Sequence, residues 1–159
     1  MLRLLSCLSC LVSAFVLSWN AVQALAVVQP MEKSYKGPLP ELTAAQIELR
    51  DLLRRDVERL AGGIGERNLN RYPQLQEAAT FVENSFVKVG YKVVRYGYEV
   101  QGRKCDNLEV ELSGGESAEE IVIVGAHYDS VAGSPGANDN ASGVAAMLAL
   151  ARHFAGGQP

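Results

Sequence analysis

The chain has 159 residues, 48% of them apolar and 21% charged, with a formal net charge of −3. That length holds one ordinary domain rather than two, and the composition suits a packed core rather than a disordered tail. With a weakly negative balance and no lysine after Lys104, the chain offers no basic stripe to nucleic acid.

Residues 1–26 stand apart. Arg3 is their one charge, none follows from residue 4 to residue 31, and Leu, Val, Phe and Ala dominate as far as Trp19. Asn20 and Gln23 then interrupt the run, and Ala24-Leu25-Ala26 supplies a small-residue cleavage pattern. A signal peptide removed after Ala26 is expected, with export to the periplasm or the medium. The rival is an uncleaved anchor over residues 4–26, which is long enough to span a bilayer and is the one route by which a membrane becomes a partner. Cys7 and Cys10 leave with the signal. The mature chain then keeps only Cys105, as strand filler, with no internal disulfide and no thiolate metal cluster.

Residues 27–40 form a linker broken by Pro30, Gly37, Pro38 and Pro40, and residues 41–159 form the domain. Thr43 can cap a helix through Ile47, Leu49, Leu52, Leu53, Val57 and Leu60, whose spacing predicts one buried stripe with Arg and Asp facing out. Gly62 to Gly65 should end it. A second helix after Tyr72-Pro73 should bury Leu75, Ala78, Ala79, Val82, Phe86 and Val87 and stop at Gly90. Residues 91–100 and 107–112 read as a hairpin joined across residues 101–104. Residues 121–124 (Ile, Val, Ile, Val) are apolar at every position, as in a strand buried on both faces of a sheet. Ser142–Phe154, rich in Ala and Leu, closes as a helix. Helices flanking a central strand predict an α/β layered domain.

The chemistry concentrates around the last strand and helix. His127 and Asp129, two apart at a strand end, share one side. Asp139 follows a loop containing Gly133, Pro135 and Gly136, which lets the chain double back. A histidine and carboxylates brought together in this way suit a divalent metal. Asp129 is placed to take the second ring N–H of a ligating His127, fixing its tautomer. One carboxylate such as Asp139 can bridge two ions. Plainer roles compete: a single strand-end histidine is more often structural, and an acid before a helix is by default its cap. A phosphate loop is excluded because no Gly-Lys-Ser/Thr follows, and an EF-hand because no closing Glu fits. Glu119 and Glu120 read as a solvated turn, and His153 as a cation at a helix C-terminus.

Gly125-Ala126-His127-Tyr128-Asp129-Ser130 together with Gly136-Ala137-Asn138-Asp139-Asn140-Ala141-Ser142-Gly143 resembles the zinc aminopeptidases of family M28, and the lead-in of residues 60–68 and 90–93 is similar too. The resemblance runs from about residue 42 to residue 152. It implies a three-layer α/β/α fold with a mixed central sheet, of which only the N-terminal part is expected here. It also implies two Zn²⁺ per complete catalytic domain, His127 as a ligand, Asp139 as the bridge, Asp129 as the orienting catalytic residue, and peptide or protein substrates. The family's glutamate base and its remaining ligands are absent from this sequence, so the expectation is an incomplete, inactive fragment of an exported exopeptidase. The alternative is a non-catalytic binding or interaction module on the same fold.

Overall fold

Thr43 sets the start of the first helix. In the computed structural model, which describes residues 36–115 and 119–155, the Gln46 amide donates to Thr43 Oγ1 at 3.3 Å and the Thr43 amide donates to Gln46 Oε1 at 2.9 Å. This reciprocal box satisfies two donors that a helix start otherwise leaves orphaned. Helix α1 spans Ala44–Val57 and widens into a π-turn over Glu58–Ile64. It thus stops within the expected run from Gly62 to Gly65. The left-handed residue that ends it comes only at Gly65, with φ of 81°.

The stripe on α1 also departs from expectation. Ile47 and Leu49 are exposed, whereas Asp56, expected to face out, is buried. Arg152 explains this, because its Nη1 reaches Asp56 Oδ2 at 2.6 Å from the last helix. A paired carboxylate can be buried where an unpaired one cannot.

Asn68 caps the short turn Leu69–Arg71, accepting from the amides of Asn70 and Arg71. Helix α2, Tyr72–Lys88, buries Leu75, Ala78, Ala79, Val82 and Phe86 as the spacing predicts, while Val87 is exposed, one step off that face. Gly90 adopts φ of 98° just beyond it.

Strands β1 (Val94–Val100) and β2 (Arg103–Glu109) pair antiparallel, from Val94 opposite Glu109 to Val100 opposite Arg103. Gln101 and Gly102 both have positive φ, 52° and 73°, the requirement of a tight two-residue hairpin turn that matches strand twist. The turn is thus two residues shorter than expected, and Arg103 and Lys104 join the ladder. The hairpin is tied to α2 by Tyr72 Oη donating to the Lys104 carbonyl at 2.7 Å and by Arg95 bridging Glu83 and Asp106.

Helix α3 covers Ser142–Phe154, as expected. The core lies among the π-turn, α2 and α3, where Leu60, Ala78, Val82, Ala141, Val144 and Leu148 are at most 2% exposed. Leu108, Ala126 and Tyr128 pack against its rim.

The described residues form a mixed α/β arrangement whose sheet has two antiparallel strands. The expected three layers around a mixed sheet are not among them. Residues 121–124 overturn the buried-strand expectation: Ile121, Val122 and Ile123 are 83%, 86% and 88% exposed, and none of the four is in a ladder. The physical reason is local. No described strand pairs with the stretch, and only Val124 of the four reaches the cleft of about 550 Å³ that residues of β2 and residues 125–129 also line. Among the described residues no helix is long and apolar enough to cross a membrane. Residues 36–40 are exposed. The expected signal peptide and most of the expected linker lie outside the described residues.

Candidate metal centre

Residues 126–130 are extended, and their side chains alternate. Ala126, Tyr128 and Ser130 turn inward, and His127 and Asp129 outward. Tyr128 anchors the segment by donating its hydroxyl to the Asp106 carbonyl at 2.6 Å. Burial pushes that hydroxyl's pKa up to about 12, so it remains a donor throughout the ordinary pH range. Ser130, 3% exposed, accepts from the Arg67 amide and donates to the Ser134 carbonyl at 2.8 Å, which starts the loop back toward His127.

Gly133 and Gly136 take positive φ, 80° and 58°, and the loop closes so that Asp139 meets His127. His127 Nε2 lies 2.9 Å from Asp139 Oδ1, and His127 Nδ1 lies 3.0 Å from Asp129 Oδ1. The three residues singled out in the sequence are therefore brought together, with the imidazole in the middle. Their side chains are 52%, 58% and 78% exposed for His127, Asp129 and Asp139. Asp139 does not cap α3. The Gly143 amide in its first turn is met instead by Asn140 Oδ1 at 3.0 Å, leaving the Asp139 carboxylate to His127.

The donor set fits part of a zinc site. An imidazole nitrogen and a carboxylate oxygen converge, and the other ring nitrogen has the carboxylate partner that ligating histidines commonly have. It is not a whole site. Among the described residues no group of three or more His, Cys, Asp or Glu is arranged to hold an ion, whereas a catalytic zinc takes three protein ligands. Glu119, Glu120 and His153 are exposed and take no part, and Cys105 is buried in β2.

Behind the site stands a residue that sequence patterning missed. Arg67 is fully buried. Its Nε donates to the Tyr128 carbonyl at 2.6 Å, Nη1 to the carbonyls of Leu60, Gly65 and Pro135, and Nη2 to Gly136 at 3.0 Å. Its own carbonyl accepts from the Ser130 amide at 2.8 Å. Burial lowers the guanidinium's pKa, and the nearby Asp129 charge opposes that shift. Glu66 braces the same loop from the other side, its carboxyl held below the usual range first by Asn68 and then by the Gly133 backbone. The only signal for Arg67 in the sequence was its place beside Asn68 after a glycine-rich helix end.

Residues 107–159 match the family model for peptidase family M28. That segment, a third of the chain, is similar to peptidase family M28. It is similar to the uncharacterized protein YfbL of Escherichia coli, 32% identical over 108 residues, which cover 63% of this chain and 33% of that protein. It is also similar to aminopeptidase YwaD of Bacillus subtilis, 67% identical over 33 residues (21% of this chain, 7% of that protein). A probable zinc metalloprotease of Pyricularia oryzae is 41% identical over 64 residues, 35% of this chain and 13% of that protein. The chain thus spans about a third of the length of the Escherichia coli relative and less of the others. The matched segment contains His127, Asp129 and Asp139, while Arg67 lies before it.

Proposed function

We propose that the intact protein is an exported, zinc-dependent M28 aminopeptidase that hydrolyses N-terminal peptide bonds. One observation carries this reading: a solvent-facing His127 held between Asp129 at Nδ1 and Asp139 at Nε2. In a loaded site His127 Nε2 and Asp139 would be ligands, and two zinc ions bridged by Asp139 are what the family resemblance implies. Such ions supply an acidified water and a polarised carbonyl.

The chain's own residues prepare for that chemistry. In a loaded site Asp129 would accept the Nδ1 proton of His127, which would fix the tautomer with the Nε2 lone pair free for a metal and make that nitrogen more basic. Tyr128 and Ser130, tied down on the opposite side of the segment, keep the imidazole facing solvent. The exposure of the site leaves it open to a chain terminus of a peptide. Neither a third ligand nor a glutamate base meets His127 or Asp139 among the described residues. A polypeptide limited to residues 1–159 is therefore expected to bind zinc weakly and to be inactive, since loss of a general base typically costs about 10²–10⁴ in rate. Export rests on Arg3, the apolar run after it and the Ala24-Leu25-Ala26 pattern.

The test is Asp139→Ala in the intact protein. Changes one shell further out already cost roughly 10–100-fold in metal affinity or activity, so loss of this ligand is expected to abolish hydrolysis of amino-acid anilides and to lower bound zinc. A variant with unchanged turnover and zinc content would overturn the assignment.

A further inference from the structure

We propose that Arg67 is the positioning residue of this centre, one guanidinium that fixes the spacing between the segment carrying His127 and the loop carrying Asp139. The proposal rests on the metal reading above and deepens it.

The two candidate ligands come from segments 12 residues apart that share no backbone ladder. Something else must hold them in register, because metal sites tolerate only small errors in donor placement. Arg67 touches both segments. Nε holds the Tyr128 carbonyl, which lies between His127 and Asp129, and Nη2 holds the Gly136 carbonyl, three residues before Asp139. Nη1 fastens the same group to Leu60 and Gly65 at the end of the first helix, which anchors it to the core.

Chemistry explains why the residue is arginine. The guanidinium is planar and presents donors in several fixed directions, whereas an ammonium is a single point with three rotating donors. Lysine can reach one of these carbonyl groups but not span Tyr128 and Gly136 together. The partners are all neutral backbone oxygens, so the residue's orientation depends on hydrogen-bond geometry rather than on an ion pair with one carboxylate. Arg67 itself meets neither candidate ligand side chain. Its action is through their backbones.

The experiment compares wild type, R67K and R152K in the intact protein. R152K is the control, because Arg152 is a part-buried arginine that pairs with Asp56 away from the site. Two readouts are taken: hydrogen exchange at the Ser130 and Ala141 amides without metal, and Co²⁺ affinity with its visible absorption spectrum. In R67K, exchange at both amides should accelerate about tenfold or more. Co²⁺ affinity should fall roughly 10–100-fold with an altered spectrum. R152K should change neither, even if its melting temperature falls as far. A folded R67K with wild-type exchange or wild-type Co²⁺ affinity would overturn the proposal, as would equal losses in R152K. A wild-type protein that takes up no Co²⁺ would sink the metal reading instead, and the exchange comparison alone would then decide whether Arg67 sets the two segments.

Discussion

Gly136 answers two demands at once. Its φ of 58° is left-handed, and a methyl group there would lie 2.5 Å from the Asp139 carbonyl oxygen and 2.7 Å from Ser130 Cβ. Both neighbours belong to the site itself and neither is the far end of a flexible chain. Gly136→Ala is therefore expected to cost at least about 1–3 kcal/mol and to move Asp139 away from His127. Denaturant melts and zinc titration check it; a variant as stable as wild type with unchanged affinity would contradict the geometry. At this scale the sequence was informative where chemistry is written in residue type. His127, Asp129 and Asp139 stand out by residue type and spacing, and the three side chains do meet. Arg67 did not, because arginines are usually solvated and nothing in a linear pattern reveals five backbone oxygens converging on one.

Between elements, the hairpin is held to α2 by Arg95, which lies between Glu83 and Asp106. The hydrogen bond from Arg95 holds the Glu83 carboxyl below its ordinary pKa of 4.5. A carboxyl lowered on folding contributes stability above its unfolded value and loses it as pH falls through the folded one. For a part-exposed pair that contribution is about 0.2–1 kcal/mol. Glu83→Gln should therefore destabilise the protein by about that much at neutral pH. The gap should close as pH drops below 4.5, the ordinary value, which paired thermal melts would show. A gap that widened in acid would refute the account. Helix bodies were legible because periodicity records their buried faces. Their ends were less so: which glycine between Gly62 and Gly65 ends the first helix depends on a π-turn, and the early start of β2 depends on Gln101 accepting positive φ, a conformation that residue type alone does not announce.

For the molecule as a whole, the exposed apolar run at residues 121–124 is the outstanding liability. Long, unpaired apolar segments recruit strands from other molecules. The 159-residue chain is expected to associate in a concentration-dependent way, and Val122→Lys with Ile123→Glu should reduce it, as light scattering would report. Equal scattering before and after would place the association elsewhere. The sequence identified this run as a strand because it is apolar at every position. Burial on both faces, though, is a property of neighbours, and no described strand pairs with this run.

The separation of Arg67 from its partners has a consequence for how the site comes into being. Tyr128 and Gly136 lie 61 and 69 residues further along the chain. Bringing such distant points together costs about 4 kcal/mol of loop entropy, and contacts of this range form slowly compared with helices. A chain emerging from the ribosome presents His127 before Gly136 has appeared, and the histidine then has no partner held opposite it. The meeting of His127 and Asp139 is thus made late, in the same step that fixes the tertiary structure, and until then the imidazole is loose.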